Sequence, residues 1–310
     1  MNYVGVDLHK ESAWMYVVDS CGKKIDSRNI ANKPEIIKRY LGKIPKPFML
    51  AVEATYNWYW FVDRADQYAE HVYLANSYEL KAFAKRHKKT DKIDARLIAT
   101  VLQRGFLPVV YIVNKETREL RELLRYRLCL VKDRSRNIFR LKALLDKLGL
   151  ESHGDFTTYK RLKQVGAEHY TAIHYQTAIK GYIEQIETLT EKLSAMKKRL
   201  GIVAAHDTDI SNLLSIYGLG NFGAALVKSE IATVKRFRSF NRLCAYAGLA
   251  PRVSQSAHKQ IHGPLNTNRR KNLPWIVLEN VIHFIKAYPD KTKKYISIRK
   301  RKGHNTATVA

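Results

Sequence analysis

Between Asn2 and Ile30 the chain runs through three short segments, "YVGVD", "AWMYVVD" and "KKIDSRNI", separated only by turn-length gaps. Segments rich in β-branched and aromatic residues with such short breaks form an antiparallel meander, the second turn being Ser20-Cys21-Gly22. The alternation then changes. Proline suits the first turn of a helix, so Pro34 to Leu41 is expected to be helical. "FMLAVEA" from Phe48 to Ala54 reads as a buried strand, "NWYWFVDRADQY" as a helix and "HVYLAN" as a further strand. A meander followed by alternating strands and helices specifies a mixed sheet flanked by helices. An RNase H-like arrangement has this order, and other α/β folds share the pattern.

Past Lys115 the texture is helical. Leu124, Leu128, Val131, Ile138, Leu141, Leu145 and Leu148 fall near one helical stripe, interrupted by Ser135. Ile179, Ile183, Ile186, Leu189, Leu193, Met196 and Leu200 form a second, with spacing close to that of a coiled coil. Two core helices of one bundle and an intermolecular coiled coil both satisfy these stripes, and both require a partner helix. The first helix also carries Arg121, Arg125, Arg127, Lys132, Arg134, Arg136, Arg140 and Lys142 on its polar face, as a solvated surface or a phosphate-tracking arm would. From about Gly201, "LLSIYGLGNFGAALVKSEI" reads as helix, Gly218-Leu219-Gly220 turn, helix. Such a hairpin exposes backbone N–H groups where a phosphate can sit, and it is also how any two helices turn tightly.

Charge narrows the partners. The 310 residues carry 55 Lys+Arg against 28 Asp+Glu, a formal charge of +27 that points to a polyanionic partner. No apolar run approaches the roughly 20 residues needed to span a bilayer, so nucleic acid is favoured over a membrane. The opening "MNYVGVDLHK" lacks the zones of a signal peptide, and a cytoplasmic, nucleoid-associated protein is expected. Cys21, Cys129 and Cys244 are too few and scattered for a disulfide framework or a thiolate zinc site and are read as reduced packing residues.

Against this basic background "KKTDKIDARLIA" places Asp91 and Asp94 three residues apart, on one face if helical. Asp7 ends the first strand and Glu53 lies near the end of the buried "FMLAVEA" strand. Four carboxylates gathered at one end of a sheet would repel one another and raise their pKa values unless a cation neutralised them. Hard oxygen ligands suit magnesium or manganese, often as a pair bridging a phosphodiester oxygen. Lys85, Arg86, Lys88 and Lys89 would then draw in the nucleic-acid backbone. Alternatively, Asp91 and Asp94 merely cap a helix that starts at Thr90-Asp91 and pair with nearby bases.

"YVGVDLHKESAW", "VEATYNWYW" and "KKTDKIDARLIATVL", in that order, resemble the three acidic motifs of the DEDD transposases of the insertion sequence 110 family. "RFRSFNRLCAYAGLAPRVSQSAHKQIHGPLNTNRRKNL" is similar to that family's second signature region. The resemblance implies a RuvC-like, RNase H-type catalytic domain over 1–114, a helical coiled-coil region over 115–200 and a mainly helical C-terminal transposase domain over 201–310. It implies DNA recombination guided by a structured bridge RNA that pairs with donor and target DNA, in an assembly of dimers pairing into a tetramer. The family's four acids carry onto Asp7, Glu53, Asp91 and Asp94 as ligands of Mg2+ or Mn2+. Its nucleophile carries onto Ser256, which would attack a phosphodiester and form a covalent phosphoserine link, with Arg252, His258 and Lys259 as candidate phosphate contacts. Three departures stand out: Ala257-His258 where small glycines usually follow the serine, Tyr56-Asn57 where a glycine commonly follows "EAT", and a C-terminus that stops where related sequences continue into a helix.

Three rival readings differ in class. A RuvC-like junction resolvase or nuclease would use the same acids with water and leave Ser256 dispensable. A non-catalytic nucleic-acid-binding remnant would use the acids only for its fold. "GVDLHKE" is also similar to the first phosphate strand of sugar-kinase or actin-like ATPases, but no glycine-rich loop follows Asp7.

Overall fold

The structure, a computed structural model, describes residues 1–84, 90–149, 172–256, 259–265 and 271–310. The basic flank Lys85, Arg86, Lys88 and Lys89 and the pair Ala257-His258 lie outside the described residues. The chain divides into two compact units, Met1–Ile112 and Val113–Ala310.

The first unit is built on a six-stranded mixed sheet of order β3-β2-β1-β4-β5-β6. Strands β1 (Asn2–Leu8), β2 (Ser12–Val18) and β3 (Lys24–Ala31) form the expected antiparallel meander. Strands β4 (Phe48–Glu53) and β5 (His71–Ala75) continue parallel to β1, and the two-residue β6 (Val109–Val110) closes the far edge antiparallel. Because successive side chains point to opposite faces of a strand, each buried strand feeds two cores. Val4, Val6 and Leu8 of β1 and Phe48, Leu50 and Val52 of β4 meet helices α1 (Pro34–Leu41) and α2 (Trp58–Ala65) through Ile37, Leu41, Phe61 and Val62. The short α3 (Ser77–Leu80) follows β5.

The opposite face is covered by α4 (Asp91–Gln103), which packs Ala95, Ile98, Ala99 and Leu102 against Ala51, Ala75, Tyr16 and Val18. Small residues on both sides let helix and sheet approach closely. At Gly5 the approach is closest: a Cβ there would stand 2.2 Å from the Ala95 carbonyl oxygen and 2.3 Å from the Ala99 nitrogen.

In the second unit α5 (Lys115–Lys147) and α6 (Ile173–Ala205) are each 33 residues long. Helix α5 runs through Ser135 without a break. The two apolar stripes bury each other within one chain, in antiparallel order: Leu124 with Leu200 and Ala204, Leu130 with Leu193 and Met196, Leu141 and Leu145 with Ile179, Ile183 and Ile186. The base of this hairpin is shared with α7 (Thr208–Leu214) and α8 (Asn221–Ile231).

Arg121 departs from its expected place on the polar face of α5. It is only 2 % exposed, donates to the Ser229 carbonyl and lies 4.0 Å from the Glu230 carboxylate, so it braces α5 against α8 and is not a phosphate contact. Other members of that face behave as surface residues: Arg125 pairs with Glu122 and Arg136 with Asp133. The chain continues through α9 (Phe240–Tyr246), a hairpin of β7 (Pro251–Ser256) and β8 (Lys259–Leu265), α10 (Asn272–Ala287), α11 (Pro289–Lys302) and α12 (His304–Val309). The hairpin was not legible as strands in the sequence. All three cysteines are free, but Cys21 and Cys129 are exposed and so are not packing residues.

Candidate metal and strand-transfer centre

Asp7 and Glu53 are placed by strand register. Val6 and Val52 are Cα partners on the parallel strands β1 and β4, and each acid is the next residue along. Both follow the alternation onto the face that α4 covers, at the C-terminal ends of their strands. Asp91 and Asp94 occupy the first turn of α4. Thr90 takes the N-cap, its side chain accepting from the Ile93 N–H at 3.3 Å, so the cap belongs to the threonine. The contact at Gly5 sets this helix directly on β1, two residues before Asp7.

One residue that the sequence reading did not single out joins the acids. His9 Nε2 lies 3.1 Å from Asp7 Oδ2 and 3.4 Å from Asp91 Oδ1. Its own position is fixed through its backbone carbonyl, which accepts from Asn32 Nδ2 at 2.7 Å and Asn57 Nδ2 at 2.8 Å. Asn57 is in turn held by the Thr55 hydroxyl, which donates to its Oδ1 at 2.9 Å. Thus one of the two residues departing from the family's glycine has a definite job, tying the turn after Glu53 to the turn after Asp7. Tyr56 beside it is 79 % exposed. Its place in the sequence, two residues beyond Asp7 and just past β1, puts it near one acid only; the approach of Asp91 is tertiary.

The electrostatics are those of an acid centre. Asp7 is 5 % exposed, and burial pushes its carboxyl up to about 6 from the usual 3.8; the His9 imidazole opposes this rise, while the charges of Glu53 and Asp91 add to it. Burial pushes the His9 imidazole down, but the Asp7 and Asp91 carboxylates outweigh that effect and hold its pKa above the ordinary histidine range. Asp7, Glu53 and Asp91 are therefore one electrostatic group, and half-buried Asp94 lies in the same helical turn as Asp91.

Among the described residues Asp7, His9 and Asp91 place ligand atoms within 4.8 Å of one another, as a metal site requires. The donor set fits a divalent cation: hard carboxylate oxygens suit magnesium or manganese, an imidazole nitrogen is acceptable to manganese, and a cation would offset the burial and the neighbouring charges that raise the Asp7 pKa.

In the second unit Ser256 is the last residue of β7 and opposes Lys259 of β8 in the register. The Gly218-Leu219-Gly220 turn precedes α8. Gly218 adopts φ +88°, and a Cβ there would stand 2.6 Å from the His283 Cβ, so only glycine fits between the turn and α10. This turn, with Arg127, Lys197, Asn280 and His283, lines a cavity of about 580 Å³. Arg127 stacks 3.9 Å from the centroid of the Phe222 ring, and burial together with Arg134 lowers its pKa.

An acid group on a mixed α/β sheet, in a strongly basic chain, is compatible with work on a phosphodiester backbone, and comparison with known proteins names the class. Residues 4–149 match a transposase family model, the DEDD transposase of IS110, and residues 210–297 match a second, "Transposase IS116/IS110/IS902 family". The chain belongs to the IS110 family of transposases. It is similar to the transposase for insertion sequence element IS1111A of Coxiella burnetii, with 24% identity over 317 residues covering 99% of this chain and 85% of the relative. It is also similar to the transposase for insertion sequence element IS1328 of Yersinia enterocolitica, 22% identical over 89% of this chain and 81% of that protein. A probable family 20 transposase of Pseudomonas aeruginosa is 21% identical over 94% of this chain and 86% of its own length. Among the described residues no helix is long and apolar enough to cross a membrane.

Proposed function

We infer that this transposase is an RNA-guided DNA recombinase that exchanges strands through a serine nucleophile and a metal-bearing carboxylate group. The observation that carries this reading is the convergence of Asp7, Glu53 and Asp91 on one sheet face, with His9 bridging two of them. The strand order, with three antiparallel strands followed by two parallel ones, supports an RNase H-like, RuvC-like first unit.

Asp7, Glu53, Asp91 and Asp94 would hold Mg2+ or Mn2+, which supplies Lewis-acid polarisation of the phosphate and charge stabilisation on attacking and leaving oxygens. Asp7 must be ionised to serve; burial raises its pKa to about 6, and a bound cation would favour the carboxylate further. Asn57 and Asn32 fix the His9 backbone, and the His9 imidazole links the Asp7 and Asp91 carboxylates in the metal-free state.

Ser256 is the nucleophile. Its oxygen forms a bond to phosphorus, one bridging P–O ester bond breaks, the serine proton is lost, and the departing strand end takes a proton to leave as a hydroxyl. Because the phosphoester is conserved, a second strand hydroxyl reverses the step on new DNA without an external energy source. Donor and target DNA are the substrates and a bridge RNA supplies their sequences by base pairing. Dimers pairing into a tetramer form the working assembly, with the α5–α6 hairpin as one contact and the Gly218–Gly220 turn as a contact to DNA phosphates.

The test is incubation of purified protein with its flanking-element RNA, labelled donor and target DNA and Mg2+, followed by denaturing electrophoresis and peptide mapping. A denaturant-resistant DNA adduct on the peptide bearing Ser256, absent from Ser256→Ala, is expected. Cleavage with free ends and full activity of Ser256→Ala would instead establish a water-using nuclease.

A further inference from the structure

The helix α11 carries a charge pattern that neither the fold nor the acid centre uses. In Pro289–Lys302 the only acid is Asp290, against Lys291, Lys293, Lys294, Arg299, Lys300, Arg301 and Lys302. Positions 293, 294, 297, 300 and 301 follow the i, i+1, i+4, i+7, i+8 spacing of a single helical face. All five are exposed. On the far side Tyr295 anchors the helix, buried with its hydroxyl 2.6 Å from His304 Nδ1 on α12, while Lys291, Arg299 and Lys302 around it are exposed.

Helix stability does not account for the stripe. Cations in the last turn complement the helix dipole, which covers Lys300 and Arg301. Lys293 and Lys294 lie outside that turn; Asp290 stands three residues before Lys293 and four before Lys294, a single acid against two cations. Among the described residues Lys293, Lys300 and Arg301 are in no ion pair; Lys294 Nζ donates to the Ala310 main-chain oxygen at 3.0 Å, and Arg301 Nε to its own helix at the Ser297 carbonyl at 3.4 Å. A membrane surface is a poor match, because the far side of the helix carries exposed Lys291, Arg299 and Lys302 rather than an apolar face to insert.

We propose that Lys293, Lys294, Lys300 and Arg301 of α11 form a docking stripe for the phosphate backbone of one strand of duplex DNA. This rests on the transposase reading above. The eight residue steps from 293 to 301 span about 12 Å of helix. The contact is to the backbone, so it holds DNA of any sequence and leaves sequence choice to other parts of the machinery.

The experiment measures binding of the full-length protein to a fluorescent DNA duplex by anisotropy over a salt series, for wild type and for a variant with Lys293→Gln, Lys294→Gln, Lys300→Gln and Arg301→Gln. Each lost B-DNA phosphate contact lowers the slope of log K against log salt by about 0.9, so a decrease of about 3 to 4 is expected. Lys293→Arg, Lys294→Arg and Lys300→Arg together retain the wild-type slope. Should the fourfold variant misfold by circular dichroism, Lys293→Gln with Lys294→Gln is expected to lower the slope by about 1.8, two contacts' worth. An unchanged slope, or a decrease seen with RNA but not with duplex DNA, overturns the proposal. Failure of wild type to bind duplex DNA at all, with or without its flanking-element RNA, would reject the proposed recombinase function, a result distinct from wild-type binding that the stripe does not influence.

Discussion

Gly5 and Ala95 meet backbone to backbone: a Cβ on Gly5 would stand 2.2 Å from the Ala95 carbonyl oxygen. This contact lays α4 on β1 and so carries Asp91 to within reach of the His9 that also holds Asp7. Gly5→Ala is therefore expected to push the helix off the strand, because both obstructing groups are backbone and cannot rotate away. Overpacking typically costs about 1–3 kcal/mol, and the rigid surroundings put this variant at the upper end. Urea unfolding checks the stability, and strand exchange at a temperature where the variant is still folded checks the displacement: it is expected to fall more than tenfold. Wild-type stability and exchange would show that the approach does not position the acids.

The buried carboxyl of Asp7 makes the metal-free protein pH-sensitive in a defined direction. Its folded pKa of about 6 lies above the ordinary 3.8, so the folded state holds the proton more tightly than the unfolded state. The associated stability is fully present below 3.8 and is lost as pH rises through about 6. Asp7→Asn removes the cost of ionisation and is expected to stabilise the metal-free protein at pH 7.5 by up to about 3 kcal/mol, at about 1.4 kcal/mol per pKa unit. At pH 4 little gain is expected. Thermal unfolding in chelator at both pH values measures it, and a destabilised Asp7→Asn at pH 7.5 would contradict the assignment. Mn2+ affinity of the wild type should rise over the same interval, since ligation needs the carboxylate.

His9 lowers the Asp7 pKa by charge and hydrogen bond. His9→Ala should therefore move that pKa further up and shift the onset of Mg2+-dependent exchange to higher pH. Carbon NMR of the Asp7 carboxyl in the metal-free protein reads the first effect directly. A pKa unchanged or lowered in His9→Ala would remove the histidine from the centre.

Arg121 and Glu230 form a buried pair between α5 and α8. Truncating one partner leaves the other charge uncompensated, so Arg121→Ala is expected to cost about 3–5 kcal/mol. The salt slope for DNA binding should stay at the wild-type value in protein that remains folded. A stable Arg121→Ala with a shallower slope would restore this arginine to the phosphate-contacting face.

The legible and illegible parts of this molecule follow from range. Strands β1 to β5 and helices α1, α2 and α4 were readable because alternation, proline placement and helical spacing are local. Asp7, Glu53, Asp91 and Asp94 were singled out by resemblance, and no local signal states that α4 would lie on the face of β1 that bears Asp7. That depends on Gly5, whose meaning in "YVGVD" emerges only when a helix crosses it. His9 escaped notice because its role comes from two carboxylates separated by more than eighty positions in sequence, one of them its near neighbour. Arg121 was misplaced for the converse reason: helical spacing puts it among other arginines, whereas α8 supplies a carboxylate and a carbonyl to receive it. The β7–β8 hairpin was missed because "PRVSQSAHKQIHG" is polar and lacks the apolar alternation of a half-buried strand.

The most direct test of the central claim is DNA strand exchange measured across a Mg2+ titration for wild type and for Asp91→Asn, a change that removes one carboxylate charge and little volume. Wild type is expected to exchange strands with a saturable dependence on Mg2+, and Asp91→Asn to show no exchange at any Mg2+ concentration while binding DNA as wild type does. Wild-type exchange by Asp91→Asn, or exchange that persists in chelator, would contradict the assignment of this carboxylate group as the metal centre.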